Sequence, residues 1–199
     1  MKYIYLLLII LTGITAQSCG ESTTTNKKSK GLSIDKNRTE INWTAYKTTS
    51  KVPVSGKFTT LNIENDIKGN SVSEALDNVS FSIPVSSIFS NNQSRDYKLK
   101  TLFFGVLKNT ELMSGTMHII DDANGYADFT MNDIIKKLPF TYTVEKEKIE
   151  IKAVMNTDSW QAQSAIASIN NACLELHKGS DGISKTWSDV AIAISVYFK

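Results

Sequence analysis

The segment from Val190 to Phe198 alternates without a break: Val190, Ile192, Ile194, Val196 and Phe198 are large and apolar, and Ala191, Ala193, Ser195 and Tyr197 stand between them. Successive side chains of a strand point to opposite faces, so a period of two commits this segment to a half-buried strand and excludes an amphipathic helix. The pattern recurs along the chain. Val79, Phe81, Ile83 and Val85 alternate with Ser80, Ser82 and Pro84, and Leu138, Phe140, Tyr142 and Val144 alternate with Pro139, Thr141 and Thr143. Ile149, Ile151, Ala153 and Met155 form another set, Ile41, Trp43 and Ala45 a further one, and Ala127, Phe129 and Met131 follow the turn residues Asp121 to Gly125. The runs Val54 to Ile63 and Leu112 to Ile120 are apolar enough for strands but declare no inner face.

These runs predict eight strands, joined mostly by short polar connections of the kind that link antiparallel neighbours. Two connections are long enough for helices. Ser94 is a candidate cap for a helix ending near Phe104, and Asp158 for one running from Ser159 to Lys178 and stopped by Gly179. Ile166, Ile169, Cys173 and Leu176 recur at spacings of three and four, a stripe that must be covered by a barrel end or wall.

Eight antiparallel strands with one apolar face each form a closed barrel or a two-sheet sandwich, and closure has the advantage of removing unpaired edges. The inward set contains Trp43, Phe81, Phe129, Met131, Phe140, Tyr142, Met155, Ile192 and Ile194. Aromatic and methionine side chains make adaptable walls for an apolar ligand. They also fill a dry core, and periodicity does not choose between the two.

Charge removes other classes. Lys and Arg number 22 against 20 Asp and Glu, a formal net charge of +2, with no basic stripe, so nucleic acid is not expected as a partner. Two His and two Cys occur at no metal-ligand spacing, and no G-x-S-x-G elbow is present, so neither a metal site nor a hydrolase is expected. No cofactor is expected.

The first 18 residues carry a different message. Tyr3 to Ile14 is an apolar run shorter than the ~20 residues needed to span a bilayer and fits the core of a signal peptide. Small residues then lead into Cys19, which resembles the lipobox of bacterial lipoproteins. That resemblance implies acylation of Cys19 and anchoring of the mature chain to a membrane, in a periplasmic or surface-exposed position, at the outer membrane. Residues 19–31 hold no aliphatic or aromatic side chain after the cysteine and read as a flexible tether. Residues 32–199 are expected to be one domain.

Within that domain SFSIPVSSIFSNNQSRDYKLKTLFF resembles the YceI-like (polyisoprenoid-binding, lipocalin-like) family. The resemblance rests on the alternating strand, the Arg95–Asp96 pair, Leu99 and Lys100, and the Phe103–Phe104 pair. Val54 to Phe58 resembles the family's V-x-G-x-F segment, and KLPFTYTVE from Lys137 stands where the family has a strand. Lys98 replaces a usual histidine and Leu102 a usual aspartate. The ending, with Trp160 to Gln163 and GSDGISKTW, resembles a lipoprotein subgroup of Bacteroidetes-type bacteria.

The family implies a mainly β fold, an eight-stranded antiparallel lipocalin-like barrel with two helices, holding a polyisoprenoid, quinone-like or other amphiphilic lipid. The expected lining is Trp43, Phe58, Phe81, Phe103, Phe104, Phe129, Phe140, Tyr142, Met155 and Ile192, with Arg95 as a headgroup contact. Arg95 and Asp96 equally suit a structural tie between the helix and a strand. A filled barrel acting as an envelope interaction module is the alternative. The sequence does not fix the oligomeric state, a homodimer being one option.

Overall fold

The computed structural model describes residues 31–199 apart from Asp66 and Glu147, so the expected signal segment, Cys19 and the tether before Gly31 lie outside the described residues. Ten strands form one antiparallel sheet: β1 (Glu40–Lys47), β2 (Val52–Phe58), β3 (Asn62–Ile63), β4 (Ser80–Pro84), β5 (Ile88–Phe89), β6 (Leu112–Ile119), β7 (Asn124–Met131), β8 (Ile134–Glu145), β9 (Lys148–Asn156) and β10 (Thr186–Tyr197). The ladder order is β3-β4-β6-β7-β8-β9-β10-β1-β2-β5.

All eight expected runs contain a strand. The run from Val54 to Ile63 is divided: Thr59 turns away to donate its N–H to the carbonyl of Ser87 at 3.0 Å, and β2 and β3 pair with different neighbours. This division corrects the closed-barrel expectation. Among the described residues no ladder joins β3 to β2 or β5; Thr59 to Leu61 links β2, the neighbour of the β5 edge, to β3 at the opposite edge, and so brings the curled sheet round on itself.

Three short helices accompany the sheet. Helix α1 (Val72–Leu76) is not foreseen by the alternation reading, yet its start is written in the sequence: Ser71 accepts from the Glu74 N–H at 3.2 Å, and the Glu74 carboxylate accepts from the Asn70 N–H at 2.8 Å. Helix α2 (Gln93–Lys98) is capped by the Asn92 side chain, which accepts from the Arg95 N–H at 2.9 Å; Ser94 is not the cap. The chain then widens into a π-helical turn, Leu99–Phe103, and tightens into a 3-10 turn, Phe104–Val106.

The long helix expected from Ser159 to Lys178 is broken. A 3-10 turn, Thr157–Trp160, ends at Gln161 in the left-handed conformation (φ 54°, ψ 39°), and α3 (Gln163–Ala172) starts after it. Tertiary bonds impose the break: Trp160 Nε1 donates to the Phe129 carbonyl at 3.0 Å, and Asn132 Nδ2 donates to the Trp160 carbonyl at 2.8 Å. Another 3-10 turn, Glu175–His177, precedes Gly179.

One end of the curled sheet is solid. Leu76, Val79, Ile149, Val196 and Phe198 are all within 4% of complete burial, and each such side chain contributes roughly 1.5–3 kcal/mol on leaving water. Residues Leu32 to Ile34 close this floor by bridging to Gly69 and Phe198. Ile119 N–H donates to Asp77 Oδ1 at 2.9 Å and Asn78 N–H to the Met117 carbonyl at 2.8 Å, which fasten the end of α1 to β6.

Candidate functional site

At the other end the same kind of side chains stays half-buried. Val190, Ile192 and Ile194 of β10 lie in register with Ala45, Trp43 and Ile41 of β1. They face an internal cavity of about 450 Å³ walled by β1, β2, β4, β6, β7, β8, β9 and β10. That volume falls in the ~300–1,000 Å³ range of small-molecule sites.

The cavity survives a wall of bulky rings because of what stands opposite them. Trp43 pairs with Gly56, Phe81 with Gly115 and Phe140 with Gly125 across adjacent strands. A Cβ on these glycines would fall 2.3 Å from Trp43 Cζ2, 2.8 Å from Phe81 Cζ and 2.4 Å from Phe140 Cζ. Each ring therefore lies flat over its glycine, along the wall and not across the lumen. Phe129 stacks on Phe81 with centroids 6.4 Å apart and planes at 27°, which continues this lining. The flat placement leaves Trp43 Nε1 buried without a hydrogen-bond partner, an arrangement worth about 1–3 kcal/mol against folding.

The π turn brings the remaining aromatics. Phe103 and Phe104 meet edge to face at 4.9 Å, and Phe104 meets Phe58 at 6.5 Å. The α3 stripe expected from the sequence reaches the cavity through Ile166, Ile169 and Cys173, with Leu176 at the rim.

Trp43, Phe58, Phe81, Phe103, Phe104, Phe129, Phe140, Met155, Ile192 and Arg95 all line the cavity. Tyr142 does not. It lies in the floor, and its hydroxyl donates to the Asp121 carbonyl at 2.6 Å; burial, followed by the nearby carboxylates of Asp122 and Asp121, pushes the phenol's pKa up. Sequence reasoning missed Met113 and Met117, which flank Gly115 on the undecided run of β6, and three bases at the mouth, Lys47, Lys98 and His177.

Arg95 and Asp96 part company. Asp96 is buried and accepts from Ser90, from its N–H at 2.9 Å and its hydroxyl at 2.6 Å, tying α2 to the residue after β5. Arg95 is only half-buried and lines the mouth. Lys47 Nζ donates to the Leu176 carbonyl at 2.9 Å. His177 Nδ1 lies 2.7 Å from Thr186 Oγ1, which donates to Asn170 Oδ1 at 2.9 Å. With the Thr186 proton so directed, the imidazole donates from Nδ1 and presents an unprotonated Nε2 while neutral. Burial, then the charges of Lys47 and Lys98, hold the His177 pKa below its usual value.

His118 takes no part in the cavity; it stacks on Tyr126 and its Nε2 lies 3.2 Å from Asp128 Oδ2 on the outer face. Among the described residues no three or more His, Cys, Asp or Glu side chains gather where they could hold a metal ion. No helix among them is long and apolar enough to cross a membrane.

Known structures share this architecture. A polyisoprenoid binding domain from Saccharophagus degradans, implicated in plant cell wall breakdown, superimposes with a TM-score of 0.62 at 10% identity, covering 85% of this chain and 98% of that one. BcnA of Burkholderia cenocepacia superimposes with a TM-score of 0.51 at 12% identity, covering 82% and 98%. No curated protein matches the chain in sequence. The YceI-like domain family model spans residues 32–198, the whole curled sheet with its helices, and the chain belongs to the YceI-like family.

Proposed function

We propose that this protein binds a hydrophobic lipid, a polyisoprenoid, quinone-like molecule or other amphiphile, with its chain inside the curled sheet and its head at the α2–α3 end. The single observation that carries this reading is the apolar cavity of about 450 Å³ at the centre of the molecule. An apolar void wider than water needs is not a stable way to end a core: even an engineered cavity of ~150 Å³ stays dry and takes up apolar guests.

The energetics require a long chain. Each buried methylene contributes about 0.8 kcal/mol, whereas association costs roughly 4–15 kcal/mol, so some 5 to 20 methylenes go to offsetting that loss. A deep lumen meets the requirement and a surface groove does not. Arg95 at the mouth holds the head, and no covalent chemistry or cofactor is involved. Acylated Cys19 and the tether keep the domain beside a membrane of the cell envelope, the outer membrane in this reading, where the ligand is picked up. Organic extraction of the natively purified protein, followed by mass spectrometry, tests this: a stoichiometric lipid of one long chain is expected, and protein that neither carries nor takes up any lipid would overturn it.

A further inference from the structure

The residues around the cavity divide sharply by charge. Lys47, Arg95, Lys98 and His177 all line it, and no Asp or Glu does. Among the described residues none of Lys47, Arg95 and Lys98 has a carboxylate within ion-pair distance. The neighbouring acids are engaged elsewhere: Asp96 with Ser90, Glu175 with Lys178, and Asp189 with Lys51.

These bases come from three parts of the chain: Lys47 and Lys98 lie close enough to His177 for their charges to act on it, and Arg95 stands three residues from Lys98 on α2. Arg95 and Lys98 lie on successive turns of one helical segment. Lys47 is in register with Thr186 of β10, and Thr186 holds His177. Half-buried cations at the rim of an apolar lumen, without counter-charges of their own, are a matched receptor for a head that carries negative charge. A neutral quinone or alcohol head would leave three cations uncompensated.

Building on the lipid-binding reading, we infer that the cavity selects single-chain lipids with an anionic head, a phosphate or a carboxylate, held by Lys98 and Arg95 of α2 from one side and by Lys47 and His177 from the other. The hydrocarbon supplies affinity and the cationic rim supplies discrimination. His177 reports on occupancy. The groups that face it are Lys47 from β1, Lys98 from α2, and the uncharged Thr186 and Asn170, so an anion seated among them favours its protonated form.

The test uses the full chain with Cys19→Ser, so that no acyl anchor competes for the lumen, purified without detergent. Two matched pairs of probes, farnesyl phosphate with farnesol and palmitate with hexadecanol, are titrated by the fluorescence of Trp43 and Trp187, both of which line the cavity. In each pair the anionic member is expected to bind at least about tenfold tighter, or ~1.4 kcal/mol. In an Arg95→Gln, Lys98→Gln double variant the preference falls below about threefold, and Lys98→Arg restores most of the Lys98 share.

In NMR titrations farnesyl phosphate raises the His177 pKa and farnesol does not. Equal affinities within both pairs, or a preference that the double variant leaves intact, overturn the inference while leaving lipid binding standing. Binding of inorganic phosphate as tight as that of farnesyl phosphate overturns it in favour of a free-anion site. If no probe binds at all, the lipid-binding reading falls with it.

Discussion

Strand β10 passes through both ends of the molecule with one unbroken alternation. Val196, near its end, and Phe198, just beyond it, are sealed in the floor, whereas Val190 and Ile192 look into open volume. The side chains are of the same kind, so the difference arises from what faces them. In the floor, α1 and the Leu32–Ile34 segment press apolar groups between the strands. In the hollow half the largest rings lie down on Gly56, Gly115 and Gly125, and only the loosely wound helical segments cover the opening. A half-buried apolar residue thus marks either a protein surface or an internal wall, and the sheet register distinguishes them.

The largest effect that sharpens this contrast is truncation. Ile149→Ala in the floor removes fully buried volume and is expected to lower the free energy of unfolding by ~2–5 kcal/mol in urea titrations. Ile192→Ala only enlarges a space that already exists, and is expected to lower stability by less than half as much. Equal losses at the two positions would break the comparison.

Adding volume to the wall should act in the opposite half. Gly115→Ala sets a methyl against Phe81 and against the Asp128 carbonyl, 2.9 Å from the Cβ position. It is expected to destabilise by ~1–3 kcal/mol and to drive the Phe81 ring into the lumen. Lipid affinity should drop with it, read as a weaker isotherm for a fluorescent fatty acid.

Adjacent residues provide a finer contrast. Asp96→Ala leaves the Ser90 N–H and hydroxyl without their acceptor and is expected to lower stability by about 1–3 kcal/mol, measured by thermal unfolding. Arg95→Ala, one residue earlier, is expected to shift stability by less than ~0.5 kcal/mol while weakening the binding of an anionic lipid.

The smallest effect is a pH dependence. His177 has a lowered pKa in the folded state, so the unfolded chain binds a proton first as pH falls past the ordinary histidine value of about 6.5. Stability is therefore full above that value and declines through the folded pKa below it. His177→Gln is expected to flatten the pH dependence of the urea midpoint between neutral pH and the carboxylate range. A variant with an unchanged slope would show that the imidazole titrates as in water.

The sheet was largely legible because alternation survives wherever inward positions are apolar. The two runs that declared no inner face, Val54 to Ile63 and Leu112 to Ile120, contain Gly56 and Gly115 at inward positions. The space a side chain would take there is occupied by a ring from the next strand, so the pattern lapses where the lumen is shaped. The helix breaks were illegible for a different reason. Gln161 adopts its left-handed conformation because Trp160 and Asn132 are fastened across β7, a tertiary demand that local propensity does not carry.

Tyr142, expected among the lining, stands outside the cavity wall. Its inward position is correct, but a phenol needs a partner when buried, and it finds the Asp121 carbonyl at the floor. The bases were passed over because Lys47, Lys98 and His177 come together only through the β1–β10 register and the return of the chain past α3. The hollow itself could not be read from periodicity, which specifies the side of a residue and not the depth to which that side is filled.

Whether the space between these walls takes a hydrocarbon chain can be seen in a crystal structure of the protein bound to ω-bromopalmitate, with the bromine located by anomalous scattering. One bromine site is expected deep in the lumen, beside Ile151 and Ile194, which are register partners on β9 and β10. A bromine found only on the outer surface or at the rim, with the lumen unoccupied, would contradict it.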